Sequence, residues 1–476
     1  MDRILPRVSN RPSEIRQTDA RLVLAFVCAT AFTVVLNGTM LPVALPEIGS
    51  ALSLGSVALG WIITGYFLVN GVAIPFFGRL ADIYGVARLY AIGLATFFLG
   101  SVLCTLAPGF ATLMAGRLVQ GAGAAAVVGL GPTAVSLVFP AEIRGRSLGL
   151  VGAAVGAGAA AGPVFGGAVT DLFGWRILFA AGVLFGALVP LASRMLPRGA
   201  GSPESRLDLA GGVLFAFALG GALLALTRGA EVGIRDGVFL ASVGVAVVAS
   251  VLFVFRQATA PEPFVPRALL ANRAYVWLCA ATLLLIGVIV AVEVAVPLPL
   301  AQINGLGATQ IGLVLAPSAL LTVVWGPVSG RLVDRLGVAA PTALGAAACI
   351  AGVVLLSGFG VGGAAWVTAA LVVVVGVGIT LGKIATSTGV SLTVPEENLP
   401  SGIAVNEMVW ICGISVGTAL FTAVAAARSG APDPLNPFHS GPGVGYSDAF
   451  LVLSIPLVLL LLTTPKLRGA GKKRSR

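Results

Sequence analysis

Residues 78–87 read GRLADIYGVA, and residues 330–339 read GRLVDRLGVA. Seven of the ten positions are identical between these stretches, which are here termed the first and the second cassette. Each cassette lies between two long apolar stretches. A motif repeated in this setting predicts that the chain consists of two related halves.

The composition indicates a membrane protein. Hydrophobic residues make up 57% of the 476 residues and charged residues only 10%, and the mean hydropathy is +1.01. A water-soluble chain of this size cannot bury so much apolar surface. The apolar stretches are continuous rather than alternating, and about 20 apolar residues suffice for one span, so they predict an all-α membrane protein.

Fourteen apolar stretches are separated by charged residues, prolines or glycines. They predict fourteen transmembrane helices, at residues 22–45, 57–77, 88–107, 110–138, 147–168, 175–194, 208–227, 237–255, 274–299, 310–329, 340–359, 365–393, 402–427 and 447–464. Eight of these helices separate the two cassettes, whereas two halves of six helices would place the cassettes six helices apart. We therefore predict two six-helix bundles with two inserted helices, a 6 + 2 + 6 layout.

The predicted domains follow this layout. They are an N-terminal tail (1–20), an N-terminal six-helix bundle (21–200), the two inserted helices (201–257), a C-terminal six-helix bundle (258–466) and a basic tail (467–476).

The positive charges predict the orientation. Of the 29 Lys and Arg residues, 23 fall on one side of the membrane in this layout and four on the other. Positive residues favour the cytoplasmic side, so both termini are expected in the cytoplasm. The same asymmetry accounts for the net charge of +10 without nucleic-acid binding. We expect a multi-pass protein of the bacterial plasma membrane, in contact with its lipids.

Three motifs resemble those of the major facilitator superfamily, and within it the fourteen-span drug:proton antiporters. They are the first cassette, the stretch LMAGRLVQGAGAA (113–125) and the stretch GAAAGPVFGG (158–167), which is similar to the fifth-helix motif of exporters. The matching residues are Gly78, Asp82, Gly85 and Arg88, then Arg117 and Gln120, then Gly158, Gly162, Pro163, Gly166 and Gly167.

Two further stretches, VLNGTMLPVALPEI (35–48) and GITLGKIATST (378–388), are similar to the Gram-positive tetracycline/proton antiporters. The chain departs from both groups in the first helix. Where many drug antiporters have an acidic residue it has Asn37, and where the tetracycline exporters have Glu it has Gly38.

The resemblance implies the major facilitator fold and an exporter that exchanges small amphipathic compounds, such as drugs or antibiotics, for protons by alternating access. A proton-coupled importer and a lipid or natural-product transporter use the same fold and stay open as alternatives. An enzyme is not expected. Neither a cofactor nor a metal is expected, because the chain has one histidine and five cysteines without paired spacing. We expect a monomer whose partners are its substrate and protons.

The cassettes predict a cytoplasmic gate. Its candidate residues are Gly78, Asp82, Gly85, Arg88, Gly330, Asp334 and Arg335. Each aspartate either caps a helix that starts at the loop or pairs with an arginine across the interface between the halves. In the exporter motif the glycines permit close helix packing, and Pro163 permits a bend, as a helix at that interface requires.

Charges inside a membrane are expensive and usually functional, so they predict the substrate and proton sites. Arg117 and Asn37 lie at similar depths, which allows a hydrogen bond from the guanidinium to Asn37. With Gln120 they are candidates for the substrate cavity, and the alternative is a structural role in which Arg117 ties the first and fourth helices together. Lys383 and Glu407 also lie at similar depths, which predicts an ion pair or a site where a proton on Glu407 exchanges with a substrate cation.

Glu293 is the first candidate for proton coupling, because no acid lies in the first helix. It stands within VIVAVEVAVPLPL (288–300), and the boundary of the ninth span decides whether it is buried or interfacial. Trp325 and Trp410 lie inside predicted helices and are candidates for lining a cavity for an aromatic or amphipathic compound.

Overall fold

The structure is a computed structural model that describes residues 17–54, 56–183, 185–197, 207–231, 235–288 and 295–469. Every regular element within these ranges is a helix. The α-helices are α1 (Gln17–Leu52), α2 (Ser56–Tyr84), α3 (Val86–Thr105), α4 (Phe110–Val138), α5 (Arg144–Phe173), α6 (Arg176–Val183), α7 (Phe185–Met195), α8 (Leu209–Glu231), α9 (Gly237–Thr259), α10 (Arg267–Ala271), α11 (Arg273–Ile286), α12 (Pro297–Gln302), α13 (Ala308–Leu336), α14 (Ala339–Leu355), α15 (Ala365–Thr393), α16 (Leu399–Ala427) and α17 (Val444–Thr463).

Twelve helices in the described ranges are long and apolar enough to cross a membrane. The bent helix α5 adds a thirteenth, and α11 is a shorter apolar helix of 14 residues. The predicted span 274–299 falls partly outside the described residues. The prediction of a helical membrane protein is therefore confirmed, while the count of fourteen stays a prediction.

Helix α5 bends by 45° between Gly162 and Val164. Pro163 stands at this break, where its missing N–H removes a backbone hydrogen bond of the helix. The predicted bend is confirmed.

The buried apolar side chains form separate cores in the two halves of the chain. One group of residues comes from 23–196 and another from 264–467. The halves contact each other mainly through two helix pairs, α2 with α16 and α5 with α13, with smaller contacts of α4 with α16 and α5 with α15. The two main interfaces are termed seams.

Helices α8 and α9 form an antiparallel pair beside one seam. Arg256 and Asp208 pair at one end, with Nη2 and Oδ1 2.9 Å apart. Arg228 and Asp236 pair at the other end, with Nε and Oδ2 3.5 Å apart. Helix α8 contacts both α2 and α16, so the pair touches both halves.

The glycines of α5 lie on two faces of the helix. Gly145 and Gly149 pack on the backbone of α13, and a Cβ on Gly145 would lie 2.8 Å from the carbonyl oxygen of Gly330. The glycines of the exporter motif pack on α1 instead, and a Cβ on Gly158 would lie 2.6 Å from the carbonyl oxygen of Phe32. Gly162 and Gly166 face α1 in the same way, at Thr39 and Met40.

This arrangement corrects one expectation from the sequence. The exporter motif does not supply the glycines of the seam, because Gly156, which faces Thr322 of α13, and Gly158 are two positions apart on the helix. Two positions correspond to roughly 200° of rotation. The seam glycines come from the start of α5, and the exporter motif brings α1 and α5 together within the N-terminal half.

Candidate functional site

The first cassette binds the start of a helix in the other half. Asp82, near the end of α2, accepts a hydrogen bond of 3.1 Å from the backbone N–H of Ser401 and a second, shorter one from the Ser401 hydroxyl. Ser401 is the third residue of α16, whose first N–H groups lack partners within the helix. Arg79 lies 3.8 Å from the Asp82 carboxylate on the same helix. Asp82 and Ser401 are termed the first latch.

The second cassette makes the equivalent contact at the other seam. The Asp334 carboxylate accepts hydrogen bonds from the backbone N–H groups of Gly145, at 2.8 Å, and Arg146, at 2.9 Å. Both donors lie in the first turn of α5. These three residues are termed the second latch. Arg144 adds a hydrogen bond of 2.8 Å from its guanidinium to the Ser391 carbonyl near the end of α15.

The two latches refine the predicted gate. Each aspartate caps a helix of the opposite half, rather than the helix after its own loop or an arginine side chain. Gly78 and Gly330 allow the close approach, and a Cβ on Gly78 would lie 2.9 Å from the carbonyl oxygen of Pro400. Gly85 has a φ of 87°, and Gly337, at the same position of the second cassette, has a φ of 75°. Glycine adopts this turn without strain.

The outer arginines of the gate do not take part in the latches. Arg88 lies 5.7 Å from the ring centroid of Tyr84, and Arg335 is exposed at the end of α13. Asp334 instead accepts from two backbone N–H groups, and Asp82 from the backbone N–H and the hydroxyl of Ser401, which no sequence motif marks.

Lys383 and Glu407 lie together in the C-terminal half. Lys383 Nζ is 3.8 Å from Glu407 Oε2 and 4.0 Å from the ring centroid of Trp410. The three side chains are termed the charge site. By helix rise, Lys383 lies about 15 Å from the cassette end of α15 and Glu407 about 12 Å from the same end of α16, near the middle of a bilayer.

The charge site is open on the side of Lys383. The Lys383 side chain is 31% exposed and the Glu407 side chain 6%. Every other residue from Gly378 to Thr386 is buried. Lys383 is therefore the accessible group of this stretch, with Glu407 behind it.

Arg117 forms a second buried polar group in the N-terminal half. Its guanidinium donates to the Gln120 side chain and, at 3.2 Å, to the carbonyl oxygen of Ile62. It also stacks on Tyr66, 4.0 Å from the ring centroid. Gln120 donates in turn to Ser101, at 2.9 Å. Arg117 is completely buried and thus joins α2, α3 and α4.

The expected hydrogen bond between Asn37 and Arg117 is wrong. Asn37 Nδ2 donates to the carbonyl oxygen of Leu178 at 3.0 Å. Asn37 Oδ1 and Arg117 Nη2 are both buried without a hydrogen-bond partner among the described residues. The guanidinium instead contacts Gln120, Ile62 and Tyr66. Equal depth did not predict the direction of the side chains.

Glu293 and Trp325 are the remaining candidates. Glu293 lies outside the described residues. Trp325 is half-buried on α13, and its indole N–H has no partner in the described part of the chain.

The comparison with known families agrees with these observations. The sequence model of the Major Facilitator Superfamily matches residues 27–418. The chain belongs to this superfamily. Its members are transporters rather than enzymes, and this major facilitator transporter is a multi-span helical membrane protein.

Two bacterial relatives are each 30% identical to the transporter. The riboflavin transporter RibZ of Clostridioides difficile matches 66% of this chain and 68% of its own length. The multidrug resistance protein Stp of Mycobacterium tuberculosis matches 68% of this chain, which spans only 61% of the length of Stp. The names of the two relatives refer to different substrates, riboflavin in one and drugs in the other.

A solved structure agrees with the fold. The human organic anion transporter MFSD10 superposes with a TM-score of 0.67, covering 94% of this chain and 99% of that one, at 14% identity. At this identity the likeness shows the fold alone.

Proposed function

We propose that this transporter is a proton-coupled antiporter that exports small amphipathic compounds bearing a positive charge. The pairing of Lys383 with Glu407 carries this proposal. Glu407 is a carboxylate in the middle of the membrane, and a carboxylate binds either a proton or a cation. Because a protonated Glu407 no longer attracts a cation, proton binding and substrate binding exclude each other. Mutual exclusion at one site is the requirement for antiport.

The latches support alternating access. They hold α16 and α5 against the opposite half at the cassette end, and opening that end requires both contacts to break. We assign the cassette end to the cytoplasm from the distribution of Lys and Arg, with both termini on the same side. The structure then corresponds to a transporter closed toward the cytoplasm.

The proposal includes the finer architecture. We infer fourteen spans in a 6 + 2 + 6 layout, with α5 as one bent span and α11 with α12 as parts of another. The predicted domain boundaries, a monomeric state and a bacterial plasma membrane location belong to the same proposal. Glu293 stays a second candidate for proton coupling. Gly158, Gly162, Gly166 and Gly167 serve helix packing next to the moving seam.

The test is transport by the purified full-length chain in proteoliposomes of known orientation. An inward-directed proton gradient applied at the extracellular side drives export of ethidium, an aromatic cation, and a protonophore abolishes this transport. Substrate movement in the direction of the proton gradient would contradict antiport. That result would favour the second candidate, a proton-coupled importer, for which riboflavin is a substrate to test because of the similarity to the riboflavin transporter RibZ.

A further inference from the structure

We propose that Lys383 is a tethered competitor of the substrate: its ammonium group occupies the position that the positively charged group of the substrate takes during transport. This inference rests on the proposed function and concerns the same site. It makes Lys383 a specificity-determining residue whose removal improves cation binding.

The ammonium group of Lys383 has two neighbours that bind cations. Lys383 Nζ lies between a carboxylate oxygen at 3.8 Å and an indole ring at 4.0 Å. A carboxylate and the face of a tryptophan both attract organic cations. Glu407 and Trp410 thus form a cation site, and a lysine side chain occupies it.

The carboxylate and the indole ring have fixed positions, whereas the ammonium group does not. Glu407 and Trp410 are three positions apart on α16, so one helix places both on the same face. Lys383 comes from α15 and reaches the site through four flexible methylene groups. The ammonium group can leave while the carboxylate and the indole stay in place.

The contact between Lys383 and Glu407 is weak. A charge-assisted hydrogen bond between nitrogen and a carboxylate measures about 2.7–2.9 Å, whereas Nζ and Oε2 are 3.8 Å apart. The 31% exposure of Lys383 gives the ammonium group a way out of the site. A ligand that approaches Glu407 more closely displaces it.

The competitor also has a use in the transport cycle. A carboxylate left unpaired in the membrane interior is strongly unfavourable. After the substrate leaves, Lys383 returns and neutralises Glu407 until a proton or a new substrate arrives. The transporter therefore does not have to carry an uncompensated buried charge between cycles.

The experiment measures ethidium binding to the full-length chain in lipid nanodiscs by fluorescence, at one alkaline pH. If Lys383 occupies the site for about nine tenths of the time, Lys383→Gln lowers the Kd about tenfold. Lys383→Arg keeps a tethered cation and keeps the Kd near that of the unaltered chain. The gain disappears when Glu407→Gln is added.

A matched control is available at the end of α17. Lys466 Nζ lies 3.9 Å from the ring centroid of Trp277, a contact of the same geometry outside the charge site. Lys466→Gln therefore leaves the Kd for ethidium unchanged. Carboxyfluorescein, an aromatic anion, is the control ligand, and its binding is expected not to depend on Lys383.

A second measurement, on Lys383→Ala, applies if Lys383→Gln does not fold. In Lys383→Ala, n-propylammonium, which reproduces the atoms removed from the lysine side chain, fills the vacated position and competes with ethidium at concentrations that have no effect on the unaltered chain. An unchanged or weaker ethidium affinity in folded Lys383→Gln, or carboxyfluorescein binding that depends on Lys383, would overturn the inference.

Failure of the inference differs from failure of the proposed function. If Glu407→Gln abolishes proton-driven export but Lys383→Gln does not improve binding, only the competitor role is wrong. If Glu407→Gln leaves proton-driven export intact, the proposed function itself is wrong.

Discussion

Asp334 of α13 accepts a hydrogen bond of 2.8 Å from the backbone N–H of Gly145, across the seam between the two halves of the transporter. Asp82 makes the equivalent contact to Ser401 at the other seam. Two copies of one cassette therefore connect the two halves at the same end of the molecule, one at each seam. The duplication seen in the sequence appears in the structure as a pair of interdomain caps.

Loss of a latch opens the cassette end. Asp334→Ala removes a charged acceptor whose hydrogen bonds contribute about 1.5–3 kcal/mol each. We expect the equilibrium between the closed and open states to shift about tenfold or more toward opening at that end. The measurement is the labelling rate of a cysteine placed on the cassette-end half of α15, in a background without the five native cysteines.

The control for this prediction lies on the same helix. Arg335 is adjacent to Asp334 but exposed, so Arg335→Gln leaves the labelling rate unchanged. Equal labelling rates in Asp334→Ala and the unaltered chain would show that the second latch does not hold the closed state.

Close backbone contact at the seam depends on glycine. In Gly330→Ala the new methyl group overlaps the carbonyl oxygen of Gly145, and a backbone atom cannot move aside as a flexible side chain can. We expect at least a tenfold loss of transport with normal membrane insertion. Gly312→Ala is the matched change on the same helix, because a Cβ there meets nothing within 4 Å. Transport by both variants at the unaltered rate would refute close packing at the seam.

The buried guanidinium of Arg117 depends on Gln120. Gln120→Leu is nearly equal in volume but leaves Arg117 Nη1 without its acceptor, which destabilises the protein by about 1–3 kcal/mol. Gln120→Glu keeps an acceptor and adds a charge opposite to that of Arg117. We expect thermal unfolding in detergent to rank Gln120→Leu well below both Gln120→Glu and the unaltered chain. Equal unfolding temperatures for Gln120→Leu and the unaltered chain would contradict a stabilising hydrogen bond between Arg117 and Gln120.

The two ion pairs of the inserted helices differ in strength. Arg256 contacts a nearly buried Asp208 carboxylate at 2.9 Å, and Asp208 also accepts a hydrogen bond from Gly211 N–H at the start of α8. Arg228 and Asp236 are separated by 3.5 Å. Arg256→Gln therefore lowers the unfolding temperature more than Arg228→Gln does. The reverse order would show that burial of Asp208 does not decide the strength of the pair.

Several features were predictable because they depend on position along one helix. Depth along the helices brought Lys383 and Glu407 together, since each lies at a countable distance from the same membrane face. The bend at Pro163 followed from a missing N–H. Both inferences need only the helix rise and local backbone chemistry.

The failures come from rotation and from backbone donors. Equal depth did not decide whether Asn37 and Arg117 face each other. The glycines of the exporter motif face α1, because two positions on a helix reverse the face. Ser401 and Gly145 were missed as latch partners, since any residue supplies a backbone N–H and no pattern marks the one that is used.

The central claim is that Glu407 couples substrate movement to protons. The most direct measurement is proton flux driven by an ethidium gradient in proteoliposomes, compared between the unaltered chain and Glu407→Gln, with monodisperse elution from size-exclusion chromatography in detergent as the control for folding. We predict that Glu407→Gln loses proton flux although the variant elutes as folded protein. Proton flux at the unaltered rate in Glu407→Gln, together with its loss in Glu293→Gln, would contradict the claim.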